Sequence, residues 1–546
     1  DIRHSSFDKS PMDARLATDT AVLLLYFVII IFIGLRMGRK EDNLEDFALG
    51  GRRIPWWAVL ASLIAAETSA GTFFGTPGEG FALRNYTYLQ LAFGTIIGRI
   101  LVSYIFIKPY YDYKVFSIYE YLTARFGVAS KNAASAVFMI TRLLASGARL
   151  YVAAIALALA YEMIAGIRPN QTQTLWIYIL STIVIVLLTA IYTTLGGIKA
   201  VIWTDLIQAS IMIGSAVIAL GLLYSAIPGG WTEIVERHGP FKVSDLIATG
   251  LDPARTGWDQ IKGMFETEYT IFAGLIGAVF ITMGTHGTDQ DMVQRMLTAK
   301  DVRRSRRSLI LSGLADIPIA FTFLSIGLLL WVYYQAHPDP TLSKTPNETF
   351  CHFILYQMPV GLRGLLIAGI FATAMGSLST ALNALATSFT RDWYEPYINP
   401  RATQAQSLRA VRWATVWFSV LMIVVASTTS YLVIVYPKVR IIPIVLGIFG
   451  YTYGSLLGVF FAGMLTKNRG NDFGNVLAMV LGFITVAILS GLPNQAAGIF
   501  GGKLYEQPPW LPVMEFPWWI FFGTIVTFCV AVLFKSRPHQ RPEPAV

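Results

Sequence analysis

The chain has 546 residues, of which 54% are hydrophobic and only 14% charged. A water-soluble domain of that length needs a far more charged surface, so a soluble enzyme or binding module is excluded. The net charge of +9 does not mark a nucleic-acid binder, because the basic residues sit in short loops between apolar runs, where they set membrane topology.

In chain order the apolar runs lie at 18–38, 55–81, 87–111, 128–164, 174–195, 197–226, 269–295, 305–335, 362–391, 408–430, 440–466, 473–491 and 516–534. Each is long enough to cross a hydrocarbon core of ~30 Å. Backbone in lipid must satisfy its own hydrogen bonds, so the runs are predicted to be helices, about thirteen in all. RMGRK after the first run, AKDVRRSRRS around Lys300 to Arg307, the stretch Arg391 to Arg412 and the tail KSRPHQR fall on one side. That side is expected to be cytoplasmic, with the N-terminus outside and the C-terminus inside. The segments 227–268, 337–361 and 492–515 then form external loops. No cleavable signal peptide is evident, and a single transmembrane domain over 1–546 is expected in a cell membrane, with a bacterial inner membrane suggested by the short tails.

Cys351, read as a loop residue, and Cys529, inside an apolar run, lie too far apart in this topology for a disulfide. Three sequons, at Asn85, Asn170 and Asn347, fall outside; such triplets are common by chance. The six histidines are scattered, and no metal-ligand or nucleophile motif appears. The chain is therefore not expected to be an enzyme.

Two runs carry helix breakers at mid-membrane depth: Ala65-Ala-Glu-Thr-Ser-Ala-Gly71 and Met283-Gly-Thr-His-Gly-Thr-Asp289. Small and hydroxyl residues there let the helix unwind, which lipid tolerates only where the freed backbone lines a cavity. The breaks stand five runs apart, the pattern of an inverted repeat with its binding site where the breaks meet. Small-residue helix packing is the plainer account of either break alone. Ionisable residues at this depth are functional candidates: Glu67, Arg142, Arg149, Asp289, Asp291 and Asp316, with His286 beside the second break. Arg142 and Arg149 are two turns apart on one helix face. Their planar forks suit a carboxylate, while internal pairing with Glu67 or Asp289 is the alternative.

GGRRIPWWAVLASLIAAETSAGTFFG (50–75), SIYEYLTARFG (117–127), TTLGGIKAVIWTDLIQ (193–208), TDQDMVQRMLTAK (288–300) and MGSLSTALNALATSFTRDWY (375–394) together resemble the sodium:solute symporter family. Its members include sodium/sugar, sodium/proline and sodium/sialic acid symporters. The resemblance implies an all-α membrane protein with the LeuT-like five-plus-five inverted repeat: a leading helix at 18–38, repeats over 55–226 and 269–466, and C-terminal flanking helices over 473–534. It also implies Na⁺ as coupling ion and import of a small polar solute, a sugar or an organic anion, by alternating access.

By motif match, the main sodium site uses the carbonyls of Ala65, Thr68 and Thr373 and the hydroxyl of Ser377. Where the family usually has two adjacent hydroxyl residues, this chain has Gly376 and Ser377. A second sodium position in some members matches Asp205, Ser379 and Thr380. The plainer account of Asp205 is a helix-start acid. Sialic acid symporters carry a substrate-binding arginine on the third core helix; it aligns with Ala145, between Arg142 and Arg149, so the match is by helix and face. Sodium/sugar symporters have a glutamine in the first break where this chain has Thr72, and their polar residues near the second break correspond loosely to Asp289 and Asp291. The substrate-binding candidates are thus Glu67, Thr72, Arg142, Arg149, His286, Asp289 and Asp291. Two alternatives stay open at this stage: proton coupling through Asp205 or Glu67, and a sensor or channel without coupled transport.

Overall fold

The computed structural model describes residues 12–38, 43–68, 70–165, 169–342, 345–435, 447–499 and 502–536, apart from 505, 507 and 509. Among them the chain is helical, with only isolated bridges such as Ile54 to Ala299 in place of strands. In chain order the main helices are α1 (Met12–Met37), α2 (Trp56–Glu67), α3 (Ala70–Leu83), α4 (Leu89–Ile105), α5 (Val128–Ala165) and α6 (Gln171–Ser225). They continue with α7 (Val279–Gly287), α8 (Gln290–Leu297), α9 (Val302–Ala336), α10 (Leu362–Ser388) and α11 (Gln404–Val435). The last three are α12 (Ile448–Leu465), α13 (Asp472–Leu489) and α14 (Pro517–Leu533).

The burial pattern is that of a protein solvated by lipid. Leu24, Leu25, Val28 and Phe32 of α1 and Trp413, Trp417, Val420 and Val424 of α11 point outward, while Asp205, Asp289, Arg99 and Arg295 are inside. Hydrocarbon outside removes the usual penalty on exposed apolar side chains and forces polar groups toward one another. Where helices cross, small residues bring backbones together, as at Gly454 of α12 and Gly523 of α14. Most of α10 is buried, packed against α6, α5 and α1.

The expected runs 174–195 and 197–226 form one 55-residue helix, α6, kinked at Gly197. Gly197 has φ 50° and ψ −151°, a conformation that only glycine adopts cheaply, and a Cβ there would lie 2.5 Å from the Phe47 carbonyl oxygen. We expect Gly197→Ala to destabilise the fold by about 1–3 kcal/mol, read as a lowered Tm of the purified chain. An unchanged Tm would show that the kink is incidental.

The expected loops are partly helical: 227–268 contains Trp231–His238 and Trp258–Glu266, 337–361 contains Pro346–Gln357, and 492–515 contains Leu492–Ile499. Cys351 is therefore a buried helix residue, and both it and the exposed Cys529 are free thiols. Residues 440–446 of the expected run 440–466 lie outside the described residues.

Candidate functional site

Both expected breaks are real interruptions. α2 stops at Glu67, Thr68 is non-helical at φ −82° and ψ 85°, and α3 leaves at 61° to α2. The second break falls later than the glycines suggest. α7 runs through Gly284 to Gly287, and the turn occurs at Thr288 and Asp289. Asp289 caps α8 by accepting the Asp291 N–H at 2.8 Å, which stabilises a helix start in mid-bundle.

Three polar clusters surround these breaks. The first joins α2, α6 and α10. Asp205 is fully buried; its Oδ2 accepts from Ser62 Oγ at 2.5 Å and lies 3.8 Å from Arg295 Nε. Its Oδ1 has no donor among the described residues, and neither does Oε1 of Gln208 one turn on. Both oxygens face Gly376 of α10, as does the Ala65 carbonyl. The hydroxyls of α10 donate to their own helix: Thr373 to Ile370 O, Ser377 to Thr373 O, and Ser379 and Thr380 to Gly376 O. A hydroxyl that donates in this way keeps lone pairs for another partner. A buried carboxylate oxygen and an amide oxygen without donors, beside a carbonyl oxygen, form a set that fits a hard cation. The structure thus brings Ala65 and Asp205 together at Gly376, whereas Thr68 faces a separate cavity.

The second cluster joins α5, α8 and α12. Arg142 is ion-paired with Asp289 and, at 3.0 Å, with Asp291; Tyr453 donates to Asp289. Arg295 donates to Asp291 Oδ1 at 2.8 Å and to Ser62 Oγ at 3.0 Å, so the polar chain continues into the first cluster. Of the two expected pairings for the arginines, Asp289 is the one Arg142 takes. Arg149 shares its face: the two guanidiniums lie 4.9 and 4.6 Å from the Phe449 ring centroid. No carboxylate pairs with Arg149 among the described residues.

The third cluster lines a cavity of ≈ 220 Å³ between the first break, α4, α7 and α9. Arg99 of α4 is ion-paired with Glu67 and, at 2.5 Å, with Asp316 of α9. His286 Nε2 lies 2.6 Å from Glu67 Oε1, and its Nδ1 is 2.9 Å from Thr285 Oγ1. Thr72, Thr76, Tyr88 and Thr95 supply hydroxyls to the wall. Glu67, Thr72 and His286 are therefore together, apart from the Arg142–Asp289–Asp291 cluster. Arg99 was not singled out by sequence reasoning, although a lone arginine in LQLAFGTIIGRILVSYI is itself the signal of a partnered charge.

A model of the sodium:solute symporter family matches residues 47–482. A sodium/sialic acid symporter of Proteus mirabilis is 29% identical over 472 residues, which cover 85% of this chain and 88% of that protein. Sodium/myo-inositol cotransporter 2 of Oryctolagus cuniculus is 27% identical over 501 residues, covering 88% and 71%. Among solved structures, a substrate-bound, outward-open Na⁺-coupled sialic acid symporter superposes with a TM-score of 0.76 at 26% identity, over 94% of this chain and 97% of that one. The nucleobase-cation-symport-1 transporter Mhp1 superposes with a TM-score of 0.50 at 12% identity, over 89% and 93%, a likeness of fold alone.

Proposed function

Because this chain belongs to the sodium:solute symporter family and is a multi-pass membrane protein that couples import of a small solute to Na⁺, we propose that its cargo is a small polyhydroxylated solute held in the cavity at the first break. The observation that carries this reading is the cavity wall of Glu67, His286, Asp316 and several hydroxyls. Carboxylates and an imidazole accept and donate to sugar or polyol hydroxyls, and an existing ion network is an economical place for them to do so. The coupling ion is assigned to the carbonyls of Ala65, Thr68 and Thr373 with the Ser377 hydroxyl, and a second, weaker position to Asp205, Ser379 and Thr380.

Topology follows the same reading. The long apolar helices, the bent pair α2 and α3, the two shorter apolar segments Ala273–Gly287 and Pro517–Leu533, and α6 counted twice across its kink supply thirteen spans. The N-terminus is then outside, with repeats over 55–226 and 269–466, and α1, α13 and α14 flanking. A bacterial inner membrane is the proposed location, in keeping with the bacterial relatives.

Arg149 favours a second reading, an organic anion, because it stands in the bundle with no carboxylate partner among the described residues. One experiment separates the two. Proteoliposomes are offered polyols, neutral sugars, sugar acids and amino acids under a Na⁺ gradient, then under a proton gradient. The polyol reading expects uptake of neutral polyhydroxylated solutes that follows Na⁺. Glu67→Gln should weaken it on the order of tenfold, the value of a hydrogen bond to a charged group, with Arg149→Lys close to wild type. Uptake restricted to anions and lost in Arg149→Lys would establish the second reading instead, and uptake driven only by protons would refute the sodium assignment.

A further inference from the structure

We propose that Gln208 is a cation ligand, its amide oxygen replacing the hydroxyl that Gly376 lacks. The inference rests on the sodium reading above and concerns the first cluster. An ideal Cβ at position 376 would lie 3.0 Å from Gln208 Oε1, 3.6 Å from Asp205 Oδ1 and 3.7 Å from the Ala65 carbonyl oxygen. The three oxygens therefore converge on the space that a side chain at 376 would fill. Gln208 is 1% and Asp205 0% exposed, and neither oxygen has a hydrogen-bond partner among the described residues.

Buried acceptors are almost always satisfied, and leaving one without a donor costs about 1–3 kcal/mol. Here two such oxygens and a carbonyl share one point. In a low-dielectric interior they repel one another unless positive charge lies between them. Arg295 does not fill that role, since it approaches the other carboxylate oxygen, through Ser62. The amide is oriented from behind: Gln208 Nε2 donates to the Tyr26 hydroxyl at 3.4 Å, and that hydroxyl donates to Met375 Sδ at 3.7 Å. With its nitrogen held on α1, Gln208 presents its oxygen to Gly376. A serine at 376 would crowd that oxygen, so glycine at 376 and glutamine at 208 act as a matched pair.

The test uses the purified full chain in lipid nanodiscs with Na⁺ alone as probe, followed by ²²Na⁺ binding and by Na⁺-dependent thermal stabilisation. Q208M keeps the side-chain volume and removes the oxygen. Its half-saturating Na⁺ concentration should rise roughly three- to tenfold, the value of one neutral hydrogen-bonding partner. Adding G376S to Q208M returns an oxygen to the same point and should restore most of the loss. G376S alone should weaken binding, because it meets the native glutamine. An amide that merely braced α1 would not be rescued by a serine on α10. The proposal is overturned if Q208M titrates as wild type, or if Q208M/G376S remains as weak as Q208M. Should Q208M fail to accumulate, Q208N, which withdraws the oxygen by one methylene, takes its place in both comparisons. A wild-type chain that binds no Na⁺ would sink the sodium reading itself, a different result from an unaffected Q208M.

Discussion

Arg142→Ala is expected to lower the stability of the chain by about 3–5 kcal/mol, the usual consequence of taking one partner from a buried ion cluster. Arg142 is 5% exposed and faces two carboxylates, of which Asp289 is fully buried. Without it, Asp289 keeps only the Tyr453 hydroxyl and the Asp291 backbone N–H, while Asp291 keeps Arg295. Two like charges would then sit two residues apart where water does not reach. The measurement is the Tm of the purified variant, paired with Arg142→Ala/Asp289→Asn. Asparagine preserves the cap on α8, since its side-chain oxygen still accepts the Asp291 N–H, but removes the orphaned charge. The double variant should therefore be more stable than Arg142→Ala. A single variant within about 1 kcal/mol of wild type would mean that the cluster is hydrated and contributes little.

The same cluster marks how far the sequence could be read. Apolar run length located the membrane helices, because lipid imposes one requirement on every span. The first break was legible at Ala65 to Gly71 because Thr68, Ser69 and Gly71 favour helix less than the alanines around them. The second lies at the C-terminal end of the expected stretch Met283 to Asp289. Gly284 sits against Tyr453 and Ile520 and serves helix packing, so α7 continues past it. Composition does not distinguish a packing glycine from an unwinding one, and the turn was decided by Asp289 as a cap. The short helices Trp231–His238 and Trp258–Glu266 are well below membrane-spanning length, so a search for apolar runs left them as loops.

Ion partners were legible as a need but not as pairs. A charge in an apolar run requires a partner, yet which one depends on helix contacts hundreds of residues apart, as with Arg99 and Asp316. Asp289 was correctly named as a partner for the arginines, whereas Glu67 went to Arg99 and His286. Gln208 drew no attention because an amide carries no charge to explain. Its significance arises only from the absent side chain at Gly376, across the bundle on α10.

Asp205→Asn is expected to weaken Na⁺ at the second position on the order of ten- to a hundredfold, the range for losing a charged partner. Asparagine keeps the shape and one oxygen, so the change isolates the charge. That charge is already shared: Oδ2 is held by Ser62 Oγ and lies 3.8 Å from Arg295, and only Oδ1 is open toward Gly376. A carboxylate partly neutralised from behind attracts a cation less than a free one does, which argues for a weak position used on the way to the cytoplasm. Ala65 borders both assigned sodium positions, so two ions held tightly at once would repel across a few ångströms of low-dielectric interior. The Hill coefficient for Na⁺ should accordingly lie nearer one than two, and Asp205→Asn should slow turnover more than it weakens solute binding. Initial uptake rates against Na⁺, with solute binding measured separately at saturating Na⁺, check both statements. A coefficient clearly near two that falls to one in Asp205→Asn would show two tightly coupled ions with Asp205 holding the second. Unchanged rates and binding would reduce Asp205 to a helix-start acid favoured by the α6 dipole beyond the Gly197 kink.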